Sequence, residues 1–360
     1  MIALLSAAAT ALIISLFGTP LLIRYLVRQQ YGQFIRQDGP TAHMVKRGTP
    51  TMGGLVIIVA TVAGVFAASI QRGTVPSATI WLTLYLMCGL GFIGFLDDFT
   101  KIRNQRSLGL SPVGKIIGQA VVGISFAILA VQFPNANGRT PASFRISVLR
   151  DTNLNLRTWG LAIGLVLFVI WANFLITAWS NAVNLTDGLD GLATGSSLVV
   201  FLIYLLVGLW QSNQSCQILR SVGPGCYETR DPRDIAIVAV AIVGACFGFL
   251  WWNAAPAKIF MGDTGSLALG GALAALSIMS RTQVLAVVIG GLFVVIVMSD
   301  VIQIVFFKAT RRRVFKMAPL HHHFELSGWA EITIVIRFWL IAGLFAAVGM
   351  GIFYAEWVIT

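Results

Sequence analysis

Ten stretches of the chain run without any Asp, Glu, Lys or Arg: residues 1–23, 48–71, 73–96, 116–138, 158–186, 191–219, 235–257, 264–280, 282–299 and 338–355. Each reaches or approaches the roughly 20 residues a helix needs to cross hydrocarbon. A charge at the centre of such a helix costs about 3 kcal/mol on insertion scales, so charge-free length is a direct test of spanning. The pattern predicts an all-α, polytopic membrane protein of about ten transmembrane helices. A single transmembrane domain over residues 1–360 is expected. The first apolar stretch has no basic segment before it, so residue 1 is expected to start helix 1 rather than a cleaved signal peptide.

Composition points the same way. Hydrophobic residues make up 57% of the 360 and charged residues 11%, too few charges to cover a soluble surface. Disorder, a collagen-like chain and a disulfide-stapled miniprotein are excluded by the same figures. In a soluble protein the net charge of +11 would suggest nucleic acid. Here it fits basic loops facing an anionic leaflet and anionic ligands, and no nucleic-acid partner is expected.

An even number of crossings places both termini on one side. The loops after helices 1, 3, 5, 7 and 9 carry sixteen Lys and Arg, including the run Arg311-Arg312-Arg313, and the opposite loops carry nine. The positive-inside rule therefore predicts cytoplasmic odd-numbered loops and extracytoplasmic termini. Cys216 and Cys226 share an outer loop, where a disulfide is permitted and a free pair equally so.

The outer loops are ordinary turn chemistry. The cytoplasmic ones, near 24–52, 97–115, 179–191, 253–266 and 308–337, press dense polar blocks against helix ends. Residues 46–54, with Lys46, Arg47 and Thr51 among three glycines, suit an anion site or a basic anchor loop. Asp97-Asp98 follow the apolar run of helix 3, and adjacent carboxylates there repel unless a cation sits between them or one stays protonated. Mg²⁺ is the natural candidate, with Lys115 nearby to balance charge. Residues 181–191 hold Asn181, Asn184, Asp187 and Asp190 without one Lys or Arg, more than a helix cap requires. Asp263-Thr264 suits either a helix cap or a ligand, and Phe260 either core or a stacking face. His321-His322-His323 are consecutive, so on any regular element they point apart. Phosphate contact suits them better than one shared zinc.

Together these blocks resemble the phospho-N-acetylmuramoyl-pentapeptide transferase family, within the polyprenyl-phosphate N-acetylhexosamine-1-phosphate transferases. The matching segments are KRGTPTMGG at 46–54, LDD at 96–98, NAVNLTDGLDG at 181–191, FMGDTGSLALGG at 260–271 and MAPLHHHFE at 317–325. One departure is that the family carries a Glu in helix 9 near Ile296, whereas the nearest acid here is Asp300. The resemblance implies transfer of phospho-N-acetylmuramoyl-pentapeptide from its uridine diphosphate carrier to undecaprenyl phosphate, releasing uridine monophosphate. It implies a multi-pass protein of the bacterial plasma membrane, Mg²⁺ dependence, a cytoplasm-facing site and a homodimer as an expected assembly. By the same resemblance Asp97, Asp98 and Asp263 are the catalytic and metal-binding acids. Asn184, Asp187, Gly188, Leu189, Asp190, Asn253 and Phe260 form the nucleotide set. Lys46, Thr51, Lys115, Gln303, His321, His322 and His323 contact phosphate and sugar. Both direct transfer and a covalent aspartyl-phosphate remain open at this point. A transporter would place ionisable groups at midplane, and only Asp300 answers to that.

Overall fold

The computed structural model describes residues 1–29, 31–32, 48–106, 108–219 and 225–359. Lys46 and Arg47 of the first polar block lie outside the described residues. In chain order the long helices are α1 (Ile2–Arg28), α2 (Gly54–Arg72), α3 (Ala78–Arg103), α4 (Pro112–Ala130), α5 (Leu161–Thr186) and α6 (Leu192–Asn213). A short α7 (Cys216–Leu219) precedes α8 (Pro232–Asn253) and α9 (Gly262–Met279). The remainder is α10 (Leu285–Ile289), α11 (Gly291–Thr310), α12 (Leu320–Glu325) and α13 (Glu331–Ile359).

Local chemistry sets these limits. Ser77 Oγ accepts the N–H of Ile80 to start α3, and Ser111 Oγ accepts that of Gly114 at 3.1 Å to start α4, with Pro112 just inside. α2 stops at Gly73, whose φ of +63° is left-handed. The one sheet among the described residues is a hairpin between α4 and α5, with β1 (Arg145–Ser147) antiparallel to β2 (Asp151–Asn155). The alternation of apolar runs gave no sign of it.

Nine helices among the described residues are long and apolar enough to cross a membrane: α1 to α6, α8, α11 and α13. The charge-free stretch 264–280 forms α9. It runs antiparallel to α3, from Thr264 hydrogen-bonded to Asp98 at one end to Met279 Sδ near Thr83 Oγ1 at the other. Every residue of α9 from Thr264 to Met279 is buried, enclosed by α2, α3 and α5. Small residues permit this approach, as is usual where helices pack inside a bilayer. A Cβ on Gly54 would fall 2.0 Å from the backbone N of Gly265, and one on Gly94 2.1 Å from the carbonyl of Asp263.

Two apolar runs are divided or extended. Residues 282–299 break at Gly290 into α10 and α11, and α11 continues past Asp300 to Thr310. α13 begins at Glu331, and its Arg337 guanidinium lies 4.2 Å over the Trp329 ring. A charge ends a charge-free count without ending a helix, because the backbone ladder is indifferent to side-chain charge.

Both ends of the described chain lie at one end of the bundle. Met1 lines a cavity with Arg72 and Arg233, and Arg72 pairs with Asp234. Asp231 accepts from Thr79, the Arg230 guanidinium reaches the Phe133 carbonyl, and Arg139 pairs with Glu228. Glu356 accepts from Arg150 at 2.6 Å, and Arg150 also donates to the Cys226 carbonyl. Cys216 and Cys226 are disulfide-bonded there, while Cys88 and Cys246 are free. The polar blocks gather at the opposite end.

Candidate active site

Asp97 and Asp98 stand within α3, six and five residues before it ends at Arg103, with 4% and 2% of their surface exposed. Neighbours on a helix diverge by about 100°, so the two carboxylates face different partners. Asp97 accepts the N–H of Leu110 at 2.9 Å and pairs with Lys101 Nζ at 2.6 Å. Asp98 faces α9. Its oxygens accept the N–H groups of Asp263 (3.2 Å) and Thr264 (3.0 Å) and the Thr264 hydroxyl (2.7 Å). Those amides begin a helix with no side-chain cap of its own, so Asp98 caps α9 from another helix.

Asp263 is thereby aimed at the same space. Its Oδ2 lies 2.7 Å from Lys115 Nζ and 3.2 Å from Lys101 Nζ, and its Oδ1 accepts from Asn184 at 2.7 Å. Asn184 also donates to Ser266 Oγ at 2.8 Å, tying the end of α5 to the start of α9. Lys101 is the residue that sequence reasoning missed. Its signal was present: it follows Asp97 by four and Asp98 by three, which places all three on neighbouring positions of one helix surface.

One ligand atom each from Asp97, Asp98 and Asp263 lies within 4.8 Å of the others. The donor set is oxygen only, which suits a hard divalent cation and not zinc. Lys101 Nζ, at 2.6, 3.6 and 3.2 Å from the three acids, occupies the position of a cation among them. Three carboxylates against the ammoniums of Lys101 and Lys115 still leave a negative balance. The residues present therefore fit a bound divalent metal.

The segment after α5 closes one side. Burial, and then the charges of Asp263 and Asp98, push the carboxyl of Asp187 up to about 8, against an opposing hydrogen bond from the Gly262 N–H. Asp190 accepts the Ala257 N–H at 2.9 Å, and its own N–H donates to Glu331 Oε1 at 2.9 Å. Gly188 meets the buried ring of His321, whose Nε2 would lie 2.3 Å from any Cβ placed there. Leu189 turns away and packs with Leu192, Leu292, Ile296 and Phe338. Ile296 is fully buried in that cluster.

Several predicted site residues are hydrogen-bonded or packed within the protein. The Asn253 amide donates to the Ile259 carbonyl at 2.9 Å and accepts from Thr194 at 2.7 Å. Phe260 is half-buried, and its backbone bonds Pro50 and Gly53, bolting the 48–54 loop to the start of α9. Thr51 is buried beside Gly262. Gln303 accepts from the N–H groups of Val314 and Phe315 and donates to the Phe315 carbonyl, so it clamps the connection between α11 and α12. The three histidines diverge as their adjacency requires. His321 faces Gly188, His322 Nδ1 lies 2.6 Å from Glu325 Oε2, and His323 Nδ1 accepts the Lys316 N–H at 3.1 Å. The structure thus brings Asp97, Asp98, Asp263, Lys115, Asn184 and Asp187 into one cluster, with His321 beside it, and leaves Gln303 on α11 and His323 on α12 outside it.

The profile of glycosyl transferase family 4 matches residues 79–281, the stretch that contributes every acid of this cluster. Phospho-N-acetylmuramoyl-pentapeptide-transferase signature 1 matches residues 46–58. The chain is 72% identical over 359 residues to the phospho-N-acetylmuramoyl-pentapeptide-transferase of Beutenbergia cavernae, covering 100% of both chains. It is 63% identical to that of Kineococcus radiotolerans, covering 98% of each, and 56% identical to that of Streptomyces griseus, again covering 98% of each. The chain belongs to the phospho-N-acetylmuramoyl-pentapeptide-transferase family.

Proposed function

We propose that this protein transfers phospho-N-acetylmuramoyl-pentapeptide from uridine diphosphate N-acetylmuramoyl-pentapeptide to undecaprenyl phosphate. An oxygen of the lipid phosphate attacks the sugar-bearing phosphorus, and the bond to uridine monophosphate breaks. The observation that carries this reading is the convergence of Asp97, Asp98 and Asp263 with Lys101 and Lys115 at helix ends on one face of the bundle. One substrate is soluble and the other lies in the bilayer, so their phosphates meet only at such a boundary.

Mg²⁺ is the metal that the oxygen donors suit, and when bound it would neutralise phosphate charge. Asp263 and Asp97 would hold it, with Asp98 fixing Asp263. A lipid phosphate is already largely ionised at neutral pH, so attack by its own oxygen needs little help from a base. Asp97 would accept the remaining proton. Lys115 and Lys101 would offset the charge gathering on the phosphates, which is the main demand of phosphoryl transfer. Asn184, Asp187 and Asp190 line the side where the nucleotide would lie, and the His321–Glu325 helix borders the sugar and peptide side.

The acids face the cytoplasm in this reading, with both termini outside. The bias of sixteen to nine in Lys and Arg supports that orientation in a bacterial plasma membrane. A homodimer is the expected assembly. The deciding experiment gives detergent-purified protein both substrates and measures uridine monophosphate and the lipid diphosphate product. Uridine monophosphate without lipid product would reduce the protein to a hydrolase and refute the transfer.

A further inference from the structure

The end of the bundle remote from the acids holds a cavity of about 480 Å³ between the starts of α1 and α8 and the end of α2, lined by Met1, Ile2, Ala3, Gln71, Arg72 and Arg233. Two guanidinium groups border it. Arg72 is partly committed through its ion pair with Asp234. Arg233 is exposed and makes no ion pair or hydrogen bond among the described residues. Two arginines against one aspartate leave the cavity positive. Arg233 also stands in the first turn of α8, where the dipole of a 22-residue helix favours an anion.

The surroundings select the anion. Ile2, which lines the cavity, is 69% exposed, and Leu5 and Ile70 on the same two helices are 65% and 79% exposed, so apolar surface adjoins the arginines. Elsewhere on this end Arg139, Arg150 and Arg230 are each engaged in an ion pair, with Glu228, Glu356 and Asp231, and Arg157 lies over the Phe144 ring. Arg145 is exposed in the hairpin without such a cavity. A guanidinium without a protein partner, beside apolar surface at the hydrocarbon boundary, matches a phosphodiester with acyl chains beneath it.

We propose that this cavity binds the headgroup of an anionic glycerophospholipid, with Arg233 and Arg72 donating to its phosphate and the acyl chains lying along Ile2, Leu5 and Ile70. Free phosphate would gain the charge but none of the apolar surface. The site needs only that this end of the bundle meets the membrane surface, and so stands apart from the transfer chemistry.

The test titrates the full-length protein in neutral detergent with phosphatidylglycerol, phosphatidylcholine or inorganic phosphate, and counts bound lipid by intact mass. The expected result is one saturable phosphatidylglycerol, bound at least about tenfold more weakly by Arg233→Ala and unchanged in Arg145→Ala. Arg233→Gln serves if the alanine variant is poorly produced. Equal binding of phosphatidylcholine, or an indifferent Arg233 variant, would overturn the proposal. Displacement by inorganic phosphate as effective as lipid would assign the cavity to a free anion and overturn it too. Uridine monophosphate release is measured alongside. Its absence in the unsubstituted protein would sink the transferase reading and leave the lipid result standing.

Discussion

Asp98 caps the helix that carries Asp263: its carboxylate receives the N–H groups of Asp263 and Thr264 at 3.2 and 3.0 Å across the contact between α3 and α9. Two acids that look equivalent in the chain therefore have separate tasks. Asp263 faces the lysines, and Asp98 holds Asp263 in place.

That division predicts different failures. Asp263→Asn should lower turnover by about two orders of magnitude or more with little loss of thermal stability, since it removes a charge from the cluster and not a cap. Asp98→Ala should lose comparable activity and in addition roughly 1 kcal/mol of stability, the usual worth of a helix cap. Melting curves and single-turnover rates of the two variants side by side decide it. Equal stability in both would remove the capping role.

Metal removal should abolish transfer, with Mg²⁺ or Mn²⁺ restoring it and Zn²⁺ failing, because every candidate ligand is oxygen. Rates after dialysis against chelator and re-addition of each ion supply the answer. Full activity in excess chelator would exclude a metal at Asp97 and Asp263.

Gly188→Ala should cut activity by at least about tenfold, because its Cβ would meet His321 Nε2 at 2.3 Å and displace either the ring or the Asp187–Asp190 segment. The double variant Gly188→Ala with His321→Ala opens the space again. Partial recovery of turnover in the double variant is the expected outcome, and a further loss would show that the His321 ring itself contributes.

A pH dependence follows from Asp187. Its carboxyl is pushed up to about 8 in the folded protein from an ordinary value of 3.8, so the folded state binds the extra proton between those limits. The group's contribution to stability is fully present below 3.8 and is lost as pH rises toward 8. In metal-free protein, Asp187→Asn should therefore flatten the decline in melting temperature between about pH 5 and 8. An unchanged slope would place the titration elsewhere.

Topology can be read by labelling. A cysteine at Asn104, exposed just after α3, should react only from the cytoplasmic side, and one at Asn137 only from outside, once the free native cysteines are replaced. Reversed labelling would put the acids on the wrong face for a soluble nucleotide donor.

Much of this was legible in the chain because charge exclusion from hydrocarbon is a strong, local rule. Nine of the helices among the described residues are long and apolar enough to cross a membrane, and Asp97, Asp98 and Asp263 lie together. What stayed hidden depended on direction and depth. Adjacent Asp97 and Asp98 look alike until the helix turns them onto Leu110 and Thr264. Lys101 reads as a loop cation until α3 is seen to continue through it. Asn253 and Gln303 carry polar groups suited to a ligand, yet backbone carbonyls and amides absorb them, and no sequence pattern distinguishes the two uses. The hairpin before α5 spans only three and five residues in its strands, too short for alternation to stand out.

The enclosure of α9 bears on how the protein is made. Its 18 residues include Asp263 and several glycines, and every one from Thr264 to Met279 is buried against protein. A helix enclosed in that way and rich in small residues depends on packing against its neighbours. Its partners α2, α3 and α5 all precede it in the chain, so a lined slot already exists when α9 is synthesised. The catalytic helix is thus a late passenger in biogenesis. Transplanting it ahead of α2 by circular permutation would strand it without a berth, even with every residue of the mature protein retained.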